Sequence, residues 1–331
     1  MRFVVLGAGA VGGVVGGLLF RSGHGVTLVA RGEHLQALQA DGLRLETPTY
    51  IDVLDIPAIA DLASVDWRPD VVVLLAVKSH QTPEALAALA AAAPPAVAVV
   101  CVQNGIANEP SAMRLFQNVQ AVCVACPTTH LSPGVVQAWA EPVPGLLDIG
   151  RYPSGVDRVT EAVAEAFGKA GFRSDAVADI QRWKRRKLIL NLGNAIEAVC
   201  GPPARGGRLT ELVTEEGERT LEAAGLEAAT AAEDQARRGD LRWGLIGGRP
   251  RPGGSSWQSL ARATGNIETD YLNGEIVLLG RIHGVPTPAN HLLQQLARDA
   301  ASGRRGPGFI AESAVLDVLG TSSGDTLDPG T

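Results

Sequence analysis

Two groups of residues have types and spacings that could do chemistry. The first is Gly7-Ala8-Gly9-Ala10-Val11-Gly12, a G-x-G-x-x-G turn between a short apolar run (residues 2–6) and a helical pattern reaching about Arg21. In that setting the first glycine permits a tight turn and the second lets backbone approach a pyrophosphate. The third allows close helix–sheet packing, and the helix start offers free N–H groups and positive dipole to the phosphates. The plain alternative is a glycine-rich packing turn with no ligand. A second strand pattern, Val26 to Val29, runs into Arg31. An NAD enzyme would carry an acid there for the ribose 2′-hydroxyl, whereas an arginine fork suits a 2′-phosphate. The expected cofactor is therefore NADP (NADPH). Two alternatives stand beside it: Arg31 pointing to solvent, or a dedicated NAD enzyme indifferent to its loss.

The second group lies on one predicted helix, Ile180 to Val199. Taking Lys187 as origin, Asn191 lies about 40° and Asn194 about −20° around the helix, so one amine and two amides share a face. Buried amides need partners, which a polar substrate or a neighbouring helix would supply. Only four of the 29 basic residues are lysine. A buried amine can lose its proton and a guanidinium cannot, so each lysine merits inspection. Lys184, Arg185 and Arg186 read as solvated charge. Gln103-Asn104-Gly105 follows the apolar run Val97 to Val102, at the carboxyl end of a predicted strand, where α/β sheets bind ligands. Asn104 there is either a ligand contact or an ordinary Asn-Gly turn. Glu268 begins a helical pattern and on its own could be a dipole partner.

The elements that must position these groups follow from hydrophobic patterning. Val71 to Val77 and Val97 to Val102 are apolar without alternation, as strands buried on both faces are, and the helix Pro83 to Ala93 lies between them. Val119 to Ala125, Val135 to Ala140 and Leu146 to Ile149 read as further strands, and Val156 to Ala170 as a helix. Beyond Asp179 the patterns Thr210 to Ala236, Ile267 to His283 and Ala289 to Ala300 are helical. The fold class is α/β: an N-terminal Rossmann-type doubly wound sheet (residues 1–177) plus an all-helical C-terminal domain (178–319) and a disordered tail (320–331). Gly247 to Gly254 is a Pro/Gly-rich loop, a connector or a lid.

With 331 residues, two domains are expected at roughly 100–200 residues each. A net charge of −6 argues against a nucleic-acid partner. No apolar run reaches the ~18 residues of a membrane span, and no leader is visible, so a cytoplasmic location is expected. Cys123 and Cys126 have metal-ligand spacing but no companion pair, and read as part of a buried strand rather than a metal site. The oligomeric state is open, with a homodimer compatible.

Taken together, these separated motifs resemble the ketopantoate reductase (2-dehydropantoate 2-reductase) family, from about residue 1 to residue 300. The match comprises the Gly7–Gly12 turn with Arg31, Val-Lys78-Ser-His-Gln81, Gln103-Asn104-Gly105, Thr128-Thr129-His130 and Lys187-Leu-x-x-Asn191. Ser255-Ser256, Glu268-x-Asp270-Tyr271-x-Asn273-Gly274 and His283-Gly284-x-Pro286 complete it. The resemblance implies a cleft between two domains and NADPH-dependent reduction of a 2-oxo acid to a 2-hydroxy acid, ketopantoate to pantoate. Lys187 would be the general acid and Asn191 and Ser256 would bind substrate, joined by Asn194, which the helical angles above place on the face of Lys187. Asn104 would touch cofactor and substrate, Lys78 and Gln81 the adenosine end, and Glu268 the nicotinamide ribose. Two departures fall on the substrate side. Position 195 is Ala, with the second asparagine at 194, and the loop Gly201-Pro202-Pro203-Ala204 lacks the family's further amide. They leave room for another keto substrate. A non-enzymatic NADP-binding regulator is the rival of a different class.

Overall fold

A computed structural model describes residues 1–322. The chain begins with β1 (Arg2–Leu6), α1 (Ala10–Arg21), β2 (Gly25–Val29), α2 (Gly32–Asp41), β3 (Leu43–Glu46), β4 (Ile51–Leu54), β5 (Ala58–Ile59) and β6 (Val71–Leu75). It continues through α3 (Thr82–Ala92), β7 (Ala98–Cys101), α4 (Asn108–Met113), β8 (Val119–Ala125), β9 (Thr128–Thr129), β10 (Val135–Ala138), β11 (Ala140–Glu141), β12 (Leu146–Arg151) and α5 (Arg158–Lys169). Then come α6 (Ile180–Cys200), α7 (Arg208–Ala223), α8 (Ala231–Arg238), β13 (Arg242–Trp243), α9 (Ser255–Ala261), α10 (Asn273–His283), α11 (Pro288–Ser302) and α12 (Glu312–Ser322).

Seven strands form one sheet in the order β12-β8-β7-β6-β1-β2-β5, parallel except for the β12–β8 pair. Side chains alternate between its two faces. Phe3, Val5, Leu28 and Leu74 pack with α1 and α5, while Val4, Leu6, Val73 and Leu75 pack with α3 and α4. Both faces are covered, which is why these strands read as unbroken apolar runs. A smaller sheet, β4-β3-β10-β9, was not expected from the sequence, and β11 pairs with β13.

The chain separates into two compact units. The first is Met1–Leu188 with Ala228–Pro252, and the second is Ile189–Glu227 with Gly253 onward. The division falls within α6, later than the expected boundary at 178. Residues 228–252 belong to the first unit because ion pairs bind them there. Arg237 of α8 forks onto Asp148 of β12, Arg182 pairs bidentately with Glu233 at 2.8 and 2.7 Å, and Arg173 pairs with Asp240. Bidentate geometry of this kind is directional as well as attractive. The Arg182 guanidinium holds the Glu233 carboxyl down at about 2.

The expected single helix Thr210 to Ala236 is two helices. α7 ends in a Schellman turn at Gly225 (φ +67°), where the Leu226 N–H reaches the Leu221 carbonyl and the Gly225 N–H the Glu222 carbonyl. α8 starts at a reciprocal cap between Thr230 and Glu233. The Gly247–Gly254 loop opens on a tight turn closed by the reciprocal Ile246–Arg249 backbone bonds at 3.1 and 3.0 Å. Of the expected tail, residues 320–322 close α12, and 323–331 lie outside the described residues. No described helix is long and apolar enough to cross a membrane.

Candidate active site

Strand register puts the sequence-selected residues of the first unit on one edge. Leu6 is level with Val29 and with Leu75, and Leu75 with Cys101. The segments that leave these four positions carry Gly7, Arg31, Lys78 and Asn104. Gly7 has φ +105°, and a Cβ there would press on Val77; a Cβ on Gly12 would overlap the Gly7 carbonyl oxygen. At Gly9 a Cβ would meet nothing within 4 Å. The turn is thus closed on the sheet side and open above Gly9, where α1 begins. That cradle fits the pyrophosphate of a dinucleotide.

A buried polar network stiffens the same edge. Gln103 Nε2 donates to the Val77 carbonyl at 2.8 Å and to Thr82 Oγ1 at 2.9 Å. Thr82 in turn donates to Asn108 Oδ1 at 2.8 Å, and Asn108 Nδ2 donates to Ser79 Oγ at 3.2 Å and to the Asn104 carbonyl at 3.1 Å. The Lys78 and Asn104 segments are therefore held to each other. Gln103 and Asn108 carry this network, and no local motif marks Asn108.

At the rim, Arg31 Nη1 lies 2.8 Å from Glu84 Oε1, with both side chains about 70% exposed (72% and 69%). Lys78 is half-buried and Gln81 exposed. Between rim and turn sits His34. Its Nδ1 accepts from the Gly134 N–H at 2.9 Å, so the proton is on Nε2, which donates to the Ala8 carbonyl at 2.8 Å. Burial pushes its pKa below the usual 6.5 against that bond. His34 thus ties α2 to the Gly7–Gly12 turn and to Gly134, a link that no local sequence signal marks.

α6 carries Lys187, half-buried, and then Asn191 and Asn194, only 4% and 6% exposed. Lys184 corrects an expectation. It is not solvated charge: it is 2% exposed, and Nζ donates to the carbonyls of Gln103 at 2.8 Å and Val122 at 3.2 Å. Glu109 Oε1, fully buried, lies 2.7 Å from Nζ as an ion pair outside hydrogen-bond alignment. The reason is geometric. The first turns of α6 pack in the α/β unit, so its polar residues cannot all face water.

In the second unit, the start of α9 adjoins α6. Glu197 Oε1 accepts from the Gly254 N–H at 3.0 Å and its Oε2 pairs with Arg205 at 2.7 Å. Asn194 Oδ1 would lie 3.5 Å from a Cβ on Gly254. Ser256, two residues on, is buried, and its Oγ has no hydrogen-bond partner among the described residues. Glu268 is 7% exposed, in a 3-10 turn (Glu268–Tyr271) before α10. Asn273 serves the fold instead: it donates to the Leu192 carbonyl at 3.2 Å and to Asn290 Oδ1 at 3.0 Å, and Asn290 donates to Glu216 at 2.8 Å.

Cys123 and Cys126 point to separate carbonyls, those of Trp183 at 3.6 Å and Pro144 at 3.4 Å. Burial pushes them up to about 11 and about 12, so neither is a thiolate near neutrality.

The sequence matches the family model "Ketopantoate reductase PanE/ApbA" over residues 3–154 and its C-terminal counterpart over 179–301. It is 32% identical to the 2-dehydropantoate 2-reductase of Halobacterium salinarum, covering 90% of this chain and 98% of that one. For that of Pyrococcus horikoshii the values are 30%, 90% and 97%. A ketopantoate reductase family structure from Ralstonia eutropha superposes with a TM-score of 0.77 at 32% identity, covering 92% of this chain and 99% of that one. D-mandelate dehydrogenase, solved with NADH and anilino(oxo)acetate, shares the fold at a TM-score of 0.78 and 20% identity, with 92% and 99% coverage. This chain belongs to the ketopantoate reductase family.

Proposed function

We propose that this protein reduces 2-dehydropantoate, a 2-oxo acid, to its 2-hydroxy acid with NADPH. The observation that carries the reading is the edge itself. Register aligns the Gly7–Gly12 cradle, Arg31, Lys78 and Asn104, and Lys184 anchors to that edge the helix that bears Lys187.

The backbone N–H groups of Gly9 to Val11, at the start of α1, hold the pyrophosphate, while the Ala8 N–H is bonded to the Val29 carbonyl at 3.2 Å. Arg31 takes the 2′-phosphate in place of Glu84. Displacement is easy because an exposed ion pair is worth about 0–1 kcal/mol. Lys78 and Gln81 serve the adenosine end, Glu268 the nicotinamide ribose, and Asn104 both cofactor and substrate. NADPH, when bound, supplies the hydride. Lys187 Nζ hydrogen-bonds the carbonyl oxygen and gives it a proton as charge develops there. Asn191, Asn194 and Ser256 hold the substrate's carboxylate and hydroxyl.

A second reading is the same reaction on another 2-oxo acid. The observation that favours it is the altered substrate side: Asn194, and a loop over 201–204 that has no amide and leads to Arg205, which pairs with Glu197. NADPH oxidation with 2-dehydropantoate and a panel of 2-oxo acids, with NADH as control, tests both. The expected result is rapid oxidation of NADPH with 2-dehydropantoate. Stable NADPH with every oxo acid would leave a non-enzymatic NADP-binding protein.

A further inference from the structure

We infer that the buried Lys184–Glu109 pair is a positioning device for the reaction, fixing how α6 presents Lys187 to the Asn104 segment. The inference rests on the roles proposed above for Lys187 and Asn104. Lys184 is 2% and Glu109 0% exposed. The ammonium has three partners: the Gln103 carbonyl two residues beyond β7, the Val122 carbonyl in β8, and the Glu109 carboxylate in the first turn of α4. Lys187 follows by three residues, nearly one helical turn. A rotation or slide of α6 that redirected Lys187 would have to break this tripod.

The other side of the junction is held by the neighbouring residue. Asn108 Nδ2 bonds the Asn104 carbonyl at 3.1 Å, while Glu109 holds the lysine that bonds the Gln103 carbonyl. Two consecutive residues of α4 thus brace the segment that bears Asn104 and the helix that bears Lys187. Stability alone does not call for ions here. Desolvating two charges is costly, and an apolar pair of similar volume commonly holds a fold as well or better. What the ions add is direction: fixed bonds to named carbonyls, which apolar packing cannot specify as sharply. Positional errors near 1 Å at a reacting centre cost about 100-fold in rate.

The test compares wild type with the Lys184→Met/Glu109→Leu double variant, which removes both charges together, and with Glu109→Gln, which keeps the volume and two of the lysine's partners. Three quantities are read: melting temperature, NADPH dissociation constant by fluorescence titration, and the single-turnover rate of NADPH oxidation with 2-dehydropantoate. The double variant should melt near wild type and bind NADPH within about twofold, while its single-turnover rate falls about 10- to 100-fold. Glu109→Gln should lose a smaller factor in the same step, and it decides the matter if the double variant does not fold. A folded variant whose single-turnover rate stays within about twofold of wild type overturns the inference and leaves the pair as a structural tie. Failure of the underlying reading looks different: wild type would not oxidise NADPH with 2-dehydropantoate, or Lys187→Ala would do so at the wild-type rate.

Discussion

Two ion pairs stand at opposite ends of the same sheet edge, and they differ in one respect. Lys184–Glu109 lies in the core beneath the edge, with both side chains at 2% exposure or less; Arg31–Glu84 lies on its rim, with both about 70% exposed. The chemistry is the same, a cation and a carboxylate near 2.8 Å. In the core no water competes, and each charge depends on the other. On the rim water solvates both, so the carboxylate can leave when a phosphate arrives. One pair is built to stay and the other to exchange.

Breaking the comparison from the core side should give the largest effect. Lys184→Met alone leaves the Glu109 carboxylate buried without its cation, which should cost about 3–5 kcal/mol of stability in urea unfolding. A loss no larger than that of a surface substitution would mean that water reaches the pair. Next in size is Arg31→Ala. Loss of charge-assisted bonds to the 2′-phosphate should weaken NADPH binding by about 1.5–3 kcal/mol while NADH binding hardly moves. Equal weakening of both would remove Arg31 from the 2′-phosphate.

Glu84→Gln should be nearly silent in stability, within about 1 kcal/mol, and should tighten NADPH binding slightly by removing a competitor for Arg31. Weaker NADPH binding would show that Glu84 helps to hold the cofactor. The mildest effect is expected of His34, which couples the rim to the cradle. Its folded pKa lies below 6.5, so above pH 6.5 the ring is neutral in both states. As pH falls through 6.5 the unfolded chain takes the proton first, and stability is lost until the folded ring titrates too. His34→Gln should flatten that part of the stability–pH curve; an unchanged curve would contradict the lowering of the His34 pKa by burial.

The rim and the cradle were legible in the sequence because their signals are local. A β-branched run, three spaced glycines and an arginine after the next strand sit within some thirty residues, and unbroken apolar runs mark β6 and β7. Lys184 was illegible because what decides its state, Glu109 and two carbonyls, is distant in the chain. In sequence it sits beside Arg185 and Arg186 and looks like them. The break between α7 and α8 has local signals, Gly225 as a stop and Thr230-Ala-Ala-Glu233 as a start, which the helical periodicity on either side masks. β13 could not be read, since Arg242 and Trp243 are exposed and their partner is distant in the chain: β11, through backbone pairing and the Arg242–Glu141 ion pair at 3.1 Å. Asn191 and Asn194 lie on a face that the 100° rule predicted, and their burial adds weight to it without showing what they bind.

In the proposed reaction α6 delivers a proton-donating lysine to the carboxyl edge. The most direct test of that role is Lys187→Ala, assayed for NADPH binding and for single-turnover oxidation of NADPH with 2-dehydropantoate. NADPH affinity should stay close to wild type and oxidation should slow by at least about 100-fold, the scale of a lost general acid. Oxidation at the wild-type rate in that variant would contradict it.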